Sequence, residues 1–464
     1  MRPLVFLFFT AICLSQLVSC WEHFDALAYL GSKTPYPAPQ TKLEKPDDLK
    51  ICRVIHINHV GRHGSRHMNN THNINNLNTI LTEAKLHNGL KNPGHLLIKL
   101  LAEAKNLESH ENLKQLTKLG KKEHRDIADR MHKEFEDLFN TSSEQKTLVL
   151  QNTHVKRTKD SLEAFWGRLV EMDPKLLENA HIVSPEKGIC DPKLRFFDAC
   201  NSYISYKKDG YWKPIIQEAI WNKDAQQNIN NILGKIFTAN FIKNLDSQRQ
   251  IDITRNIYNL CQLDANINQT NRRVNFCSFF TKESEIENFN WEEDALSYFS
   301  KGPAGQPGSI AHQSACPLVA DFLVSSERAI RDPHNAPIAH LRFGHAETIV
   351  PFLVLLGLYN TDSMSDMLTR PKGRNFRMSK LSPMGANIQW ILYACPNQEY
   401  RVRMLHNEKD VSFPIAGCEK SAWCAWPKVK SFFGQEGRSC DQELFEKDIC
   451  KGVTCTHAHD LEEY

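Results

Sequence analysis

The period of the hydrophobic pattern changes several times along the chain, and the changes outline its elements. Arg2 precedes an apolar run from Leu4 to Leu14, and Val18-Ser19-Cys20 then supplies small residues before Trp21. That order is the one a secretory signal peptide shows, and the run is well short of the roughly 20 residues a membrane span needs. Residues 1–20 are read accordingly. Residues 21–50, rich in Pro and Lys as in Lys33-Thr34-Pro35-Tyr36-Pro37-Ala38-Pro39, predict an extended N-terminal arm. Ile51 to Val60 is dense in β-branched residues and stops at Gly61, the pattern of a buried strand entering a tight loop. From about Leu113 to Phe139, apolar Leu116, Leu119, Ile127, Met131, Phe135 and Leu138 recur near the helical period,. Thr147 to Leu150 predicts a second strand, followed by an amphipathic helix to about Val170.

Between about Glu171 and Ser309 the pattern turns helical, with amphipathic segments at Asn228 to Leu245 and Ile251 to Leu263 and no strong strand signal. The strand pattern returns at Ala339 to Phe343, where Gly344 breaks it. Ile349 to Leu358 then reads as a buried helix, and Trp390 to Ala394 and Tyr400 to Leu405 as two more strands,. Strand alternating with helix argues for an α/β fold. The expected architecture is a mostly parallel sheet flanked by helices, with an inserted helical domain and a Cys-rich C-terminal tail. Its divisions are the signal peptide 1–20, the arm 21–50, the core in two parts, 51–170 and 310–408, the helical insertion 171–309 and the Cys-rich segment 409–464.

Composition changes this picture in three places. Hydrophobic residues at 41% with charged residues at 24% exclude a disordered chain. A net charge of only +3 removes the basic footprint of a nucleic-acid-binding protein, so any polyanion has to be met by a local cluster. Of the 14 cysteines, Cys13 and Cys20 fall in the leader, and the even number that remains allows up to six disulfides in an exported chain,. Sequons at Asn69, Asn140 and Asn268 permit glycans in a eukaryotic cell.

Candidate chemistry collects at loops that follow predicted strands. Gly61-Arg62-His63-Gly64-Ser65-Arg66-His67 lies at a strand's carboxyl end, where α/β sheets bind ligands. Arg62 and Arg66 offer forked donors to a compact tetrahedral dianion, and glycines on both sides let backbone approach closely. Neighbouring cations hold His63 neutral, with a ring lone pair able to attack phosphorus. His56, His59, His63 and His67 have the spacing of helical metal ligands, but the segment reads as strand and Gly61 and Gly64 interrupt any helix. No metal and no cofactor are expected. At a second junction, Arg342-Phe343-Gly344-His345-Ala346-Glu347-Thr348, His345 and Glu347 fall at a helix start that favours an anion. A carboxyl beside bound phosphate has its pKa raised and becomes able to protonate a leaving alkoxide. A third loop, Thr153 to Ser161, contributes Arg157 as a further clamp on phosphoryl oxygens. His67, Lys156 and Lys159 are further candidates to line the crevice.

Arg62-His63-Gly64-Ser65-Arg66 resembles the RHGxR signature of the histidine phosphatases, clade 2, which share the histidine acid phosphatase fold. His345-Ala346-Glu347 is similar to the HAE version found in the multiple inositol polyphosphate phosphatases of that family. Leu194-Arg195-Phe196-Phe197-Asp198-Ala199-Cys200 also resembles that subfamily. The similarity runs from about Lys50 to Asn407, with Met68 standing where the family usually has Pro. The resemblance implies that His63 is the nucleophile, that Arg62, Arg66, Arg157 and His345 bind the phosphoryl group, and that Glu347 donates the proton. It implies hydrolysis of inositol polyphosphates, inositol hexakisphosphate included, and of 2,3-bisphosphoglycerate, through phosphohistidine. The partners expected are these small molecules, with no nucleic acid and no stable membrane span; the oligomeric state is open. Because the chain ends Asp460-Leu461-Glu462-Glu463-Tyr464, without a retention tetrapeptide, release outside the cell is favoured over the endoplasmic reticulum lumen. A general acid phosphatase of this fold and a non-catalytic secreted polyanion-binding protein stay open as alternatives.

Overall fold

The structure is a computed structural model of the chain, and it describes residues 25–39, 42–139, 147–187, 191–267, 274–304, 310–369 and 372–434. Residues 1–20, expected to be a signal peptide, the sequons at Asn140 and Asn268 and the C-terminal cysteines from Cys440 on lie outside the described residues.

Every strand expected from sequence is present. β1 (Arg53–Arg62), β2 (Leu148–Asn152), β3 (Ala180–Val183), β4 (Ala339–Gly344), β5 (Asn387–Cys395), β6 (Glu399–His406), β7 (Lys409–Asp410) and β8 (Trp423–Ala425) form one sheet in the order β3-β2-β4-β1-β5-β6-β7, with β8 on β6. The β3-β2-β4-β1 half is parallel, and β5 to β8 add in antiparallel fashion. β3 falls in the stretch expected to be helical. It is a four-residue edge strand, mostly exposed and paired only to β2, too short and too solvated to leave a hydrophobic pattern.

One face of the sheet is covered by the helices Lys118–Glu134 and Lys156–Met172, with Ile57, Leu150, Phe165, Leu341 and Phe343 in the shared core. The other face is covered by Cys316–Arg331 and Ala346–Leu355, packed with Val60, Phe322, Phe352 and Trp390. Each such buried side chain contributes about 1.5–3 kcal/mol. A separate helical layer joins His72–Leu86 and Asn92–Leu107 to Lys223–Ile236, Ser247–Ile267 and Glu283–Lys301. It therefore draws on the residues after β1 as well as on the insertion. The expected helix from Asn228 to Leu245 is two, because the Thr238 hydroxyl accepts from Phe241 N and starts a new one,.

Cys52–Cys395 ties the start of β1 to the end of β5, and Cys261–Cys277 and Cys418–Cys424 are also bonded. Cys200 is a buried free thiol, so the even count does not resolve into six bridges. Among the described residues no helix is long and apolar enough to cross a membrane. In the registers Arg62↔Gly344 and Asn152↔Phe343 the carboxyl ends of β1, β4 and β2 finish along one edge. All three chemistry-bearing loops leave from there.

Candidate active site

Hydrogen bonds on every side fix the loop after β1. Arg62 N donates to Ala386 O at 2.7 Å, His63 N to Gly344 O at 3.0 Å and Gly385 N to His63 O at 3.0 Å. Gly64 N donates to Ser161 Oγ at 3.2 Å. A Cβ on Gly64 would lie 2.5 Å from the backbone oxygen of Gly120, so only glycine lets the loop approach the helix Lys118–Glu134 so closely. From that helix the buried Glu123 accepts from Ser65 N at 2.7 Å, Ser65 Oγ at 2.8 Å and Tyr36 N at 2.9 Å. The carboxylate thus joins the signature loop to the N-terminal arm.

The arm is part of the site wall. Arg62 Nη1 donates to Ser32 O at 2.6 Å and Ser382 O at 2.5 Å, while its buried Nε has no partner among the described residues. The guanidinium is held by one nitrogen. His63 Nδ1 lies 2.9 Å from Gly64 O. A carbonyl only accepts, so Nδ1 carries the proton and Nε2 keeps the lone pair. Burial, and then the positive charges of Arg157, Arg62 and Arg66, hold the His63 pKa well below its usual value,. The neutral nucleophile expected from sequence is what this environment favours.

The His345 ring stands 5.7 Å from that of His63, centroid to centroid. Its Nδ1 is 3.3 Å from Arg157 Nη2, and its Nε2 is 3.0 Å from Thr153 Oγ1 and 3.1 Å from Arg195 Nη1. Guanidinium groups only donate, and a neutral imidazole accepts at one nitrogen, so the ring takes a hydrogen bond from one of the two arginines and carries its N–H at the nitrogen that faces the other. Burial and both arginines keep His345 neutral. The backbone fixes the ring as well: His345 N donates to Thr348 Oγ1 at 3.1 Å, which caps the helix Ala346–Leu355,. Arg195, aimed by Asp198 through a 2.6 Å bond from Nε, is a site residue that the sequence argument did not single out. The only signal for it was its place in the Leu194 to Cys200 stretch.

Arg62, His63, Arg66, Arg157, His345 and Glu347 are thus gathered at one edge of the sheet. Glu347, half-buried in the first turn of its helix, accepts at Oε1 from Lys301 Nζ at 2.9 Å. Although burial opposes it, Lys301 and Lys207 hold its carboxyl well below the usual range, the opposite of the direction bound phosphate imposes. Lys33 from the arm joins these cations. Burial and the Arg66 charge lower it to about 7.

Two lysines expected at the crevice are elsewhere. Lys156 pairs with Asp160 at 2.7 Å and Lys159 with Glu163 at 3.9 Å, with 66% and 56% of their side chains exposed. Their helical spacing directs them along their own helix rather than into the site. His67 faces the buried Glu108 at 3.0 Å. Met68 N also donates to Glu108, at 2.9 Å, and the Met68 side chain lies in the helical-layer core. Proline has no N–H to make that bond, so Met68 anchors the pocket rim in a way the family residue would not. The helical metal spacing dissolves on the strand. His56 meets His340, His59 meets Phe165 and Phe343, His63 meets His345, and His67 meets Glu108. Among the described residues the one group near metal-ligand geometry is Cys261, Asp264 and Cys277, and its two sulfurs are already bonded to each other.

Comparison with known proteins bears on the family and the fold. The family model described as the histidine phosphatase superfamily (branch 2) matches residues 53–407. Multiple inositol polyphosphate phosphatase 1 of Dictyostelium discoideum is 26% identical over 296 residues, 53% of this chain and 45% of its own length. The chain therefore spans about half of that relative. The Gallus gallus protein of the same name is 24% identical over 355 residues, covering 74% of this chain and 72% of its own. Among solved structures, the Bifidobacterium longum multiple inositol polyphosphate phosphatase in complex with inositol hexasulfate superposes with a TM-score of 0.77 at 22% identity, over 90% of this chain and 99% of that one. At that identity the likeness shows the fold.

Proposed function

The chain belongs to the histidine phosphatase superfamily, branch 2, and from that premise we propose that it is an exported phosphomonoesterase of inositol polyphosphates, inositol hexakisphosphate among them, working through phosphohistidine. The observation that carries the reading is the 2.9 Å contact from His63 Nδ1 to Gly64 O, which leaves the Nε2 lone pair inside a ring of arginines. Nε2 attacks phosphorus, the bond from phosphorus to the inositol oxygen breaks, and Glu347 protonates that oxygen. Glu347 then takes a proton from water, whose oxygen attacks phosphohistidine and releases phosphate and free His63. Arg62, Arg66 and Arg157, joined by Arg195, neutralise the charge spread over the phosphoryl oxygens, and the neutral His345 ring adds an N–H donor. The substrate class is supported by the names of the relatives above and by the inositol hexasulfate bound to the Bifidobacterium longum protein. Export is supported by the apolar leader and by the disulfides, which persist in oxidising compartments,.

Acid-quench trapping with labelled inositol hexakisphosphate tests the reading. Labelled enzyme is expected from the unmutated chain and none from His63→Ala. Tight binding of inositol hexakisphosphate with no label and no released phosphate would identify a binding protein instead.

A further inference from the structure

Glu347 is surrounded by cations from separate elements. Lys301, the last residue of the helix Glu283–Lys301, holds it directly; its side chain is 16% exposed, against 35% for Glu347. Lys207, in the last turn of the helix Asn201–Asp209, adds its charge from a second side. His345, at the N-cap of Glu347's helix, and Arg62, the last residue of β1, also face it electrostatically. Tyr203, whose hydroxyl donates to Ser300 O at 2.9 Å, feels its negative charge. Lys33 interacts with Lys301 from the arm. A carboxylate held in this way is a poor acid, yet the proposed reaction requires a proton on it when the inositol oxygen leaves.

We propose that Lys301 is a latch released by charge: a phosphate on the substrate other than the one being transferred draws the Lys301 ammonium away from Glu347, which then takes up the proton the leaving oxygen needs. The inference rests on the phosphatase reading and adds a basis for substrate selection. A flexible lysine stem allows the exchange, because an ammonium is a point charge with rotatable donors and satisfies a phosphate as readily as a carboxylate. A substrate with a single phosphate has no second group to offer, so Glu347 stays paired and unprotonated. Selection for polyphosphorylated substrates is thereby written into kcat and its pH dependence, and not only into KM. Lys301 acts through Glu347 and is a positioning residue.

The test compares pH profiles of kcat for the full chain, Lys301→Met and Lys301→Arg on β-glycerophosphate, which has one phosphate and a poor leaving group. Para-nitrophenyl phosphate, whose leaving group needs no proton, serves as control, and inositol hexakisphosphate as the polyphosphorylated substrate. Loss of Lys301 raises the Glu347 pKa, so the alkaline limb for β-glycerophosphate is expected to move up by about one pH unit in Lys301→Met. That is a gain of roughly tenfold above both limbs. Lys301→Arg keeps the original limb, para-nitrophenyl phosphate turnover is unchanged, and adding Glu347→Gln to Lys301→Met erases the gain. An unmoved limb with a higher KM for inositol hexakisphosphate would make Lys301 a simple binding lysine and overturn the latch. An equal loss on all three substrates would make it structural and overturn the latch as well. Absence of turnover and of phosphohistidine in the unmutated chain is a different outcome, one that removes the phosphatase reading itself and the latch with it.

Discussion

Two pairs of histidines, whose members His59 and His63 are four residues apart in and just after β1, share a protonation state for different reasons. His63 and His345 stand at the sheet edge among arginines, each ring hydrogen-bonded. His59 and His124 lie further back, with His59 5.5 Å from Phe165 and 5.7 Å from Phe343, and His124 5.5 Å from Phe343. Neither ring nitrogen of His59 or of His124 has a hydrogen-bond partner among the described residues. Burial is the largest cause that takes both down to about 3; the His124 and Arg342 charges add to it at His59, and the Arg62 backbone opposes it at His124. A displaced pKa therefore does not identify the reactive pair. What separates the pairs is direction: His63 has one nitrogen pinned by a carbonyl and the other left to face cations, whereas His59 and His124 face aromatic carbon.

Breaking the outer pair has the larger effect. His345→Ala removes the ring that lies between Arg157 and Arg195 but keeps the backbone bond to Thr348 Oγ1. kcat on inositol hexakisphosphate is expected to fall about 10²–10³-fold, the loss usual for one oxyanion-stabilising group, with thermal stability nearly kept. Steady-state kinetics beside a melting curve decides it, and a fall in stability without a fall in kcat would move His345 into the inner, structural class.

The inner pair answers to acid instead. An unfolded histidine binds its proton near pH 6.5, whereas folded His124 binds only near 3. The unfolded state therefore holds more protons between those values. The stability this histidine contributes is full above pH 6.5 and is lost as pH falls toward 3. His124→Phe removes that loss. Relative to the unmutated chain it is expected to gain about 2 kcal/mol at pH 5 over its difference at pH 8, with kcat unchanged. Denaturant unfolding at the two pH values measures this, and an equal difference at both would show that His124 does not titrate as burial requires.

The same contrast shows how far the sequence was readable. β1 announced itself by a run dense in β-branched residues that stops at Gly61, β4 by a short strand pattern that Gly344 breaks, and the reactive loops follow those ends. His63, Arg62, Arg66, His345 and Glu347 were accessible for that reason, and Arg157 because it follows β2 in the same way. Lys33, Arg195, Lys207 and Lys301 were not. Each comes from the arm or the helical region, and only tertiary packing brings Arg195 to His345, Lys207 and Lys301 to Glu347, and Lys33 toward Arg66. The neutrality of His59 and His124 was hidden too, since it depends on Phe165 and Phe343 closing over them.

Sequence proximity also misled, and this gives the smallest effect. Lys156 and Lys159 flank Arg157 in the chain, but a helix turns neighbouring residues to different faces, so Arg157 points to His345 while the two lysines pair with Asp160 and Glu163 in solvent. Exposed pairs at this spacing add little to stability. At an ionic strength near 0.15 M their charges are screened over about 8 Å, too short a range to steer a substrate held among Arg62, Arg66 and Arg157. Lys156→Ala and Lys159→Ala are therefore expected to leave the melting temperature unchanged and kcat/KM for inositol hexakisphosphate within about twofold at that salt. A tenfold loss in either variant would mean that substrate phosphates reach the outer face of the helix Lys156–Met172. The cation-lined space would then extend beyond Lys33, Lys207 and Lys301, and the line between cations that face the imidazoles and cations that only neighbour them in sequence would have to be redrawn.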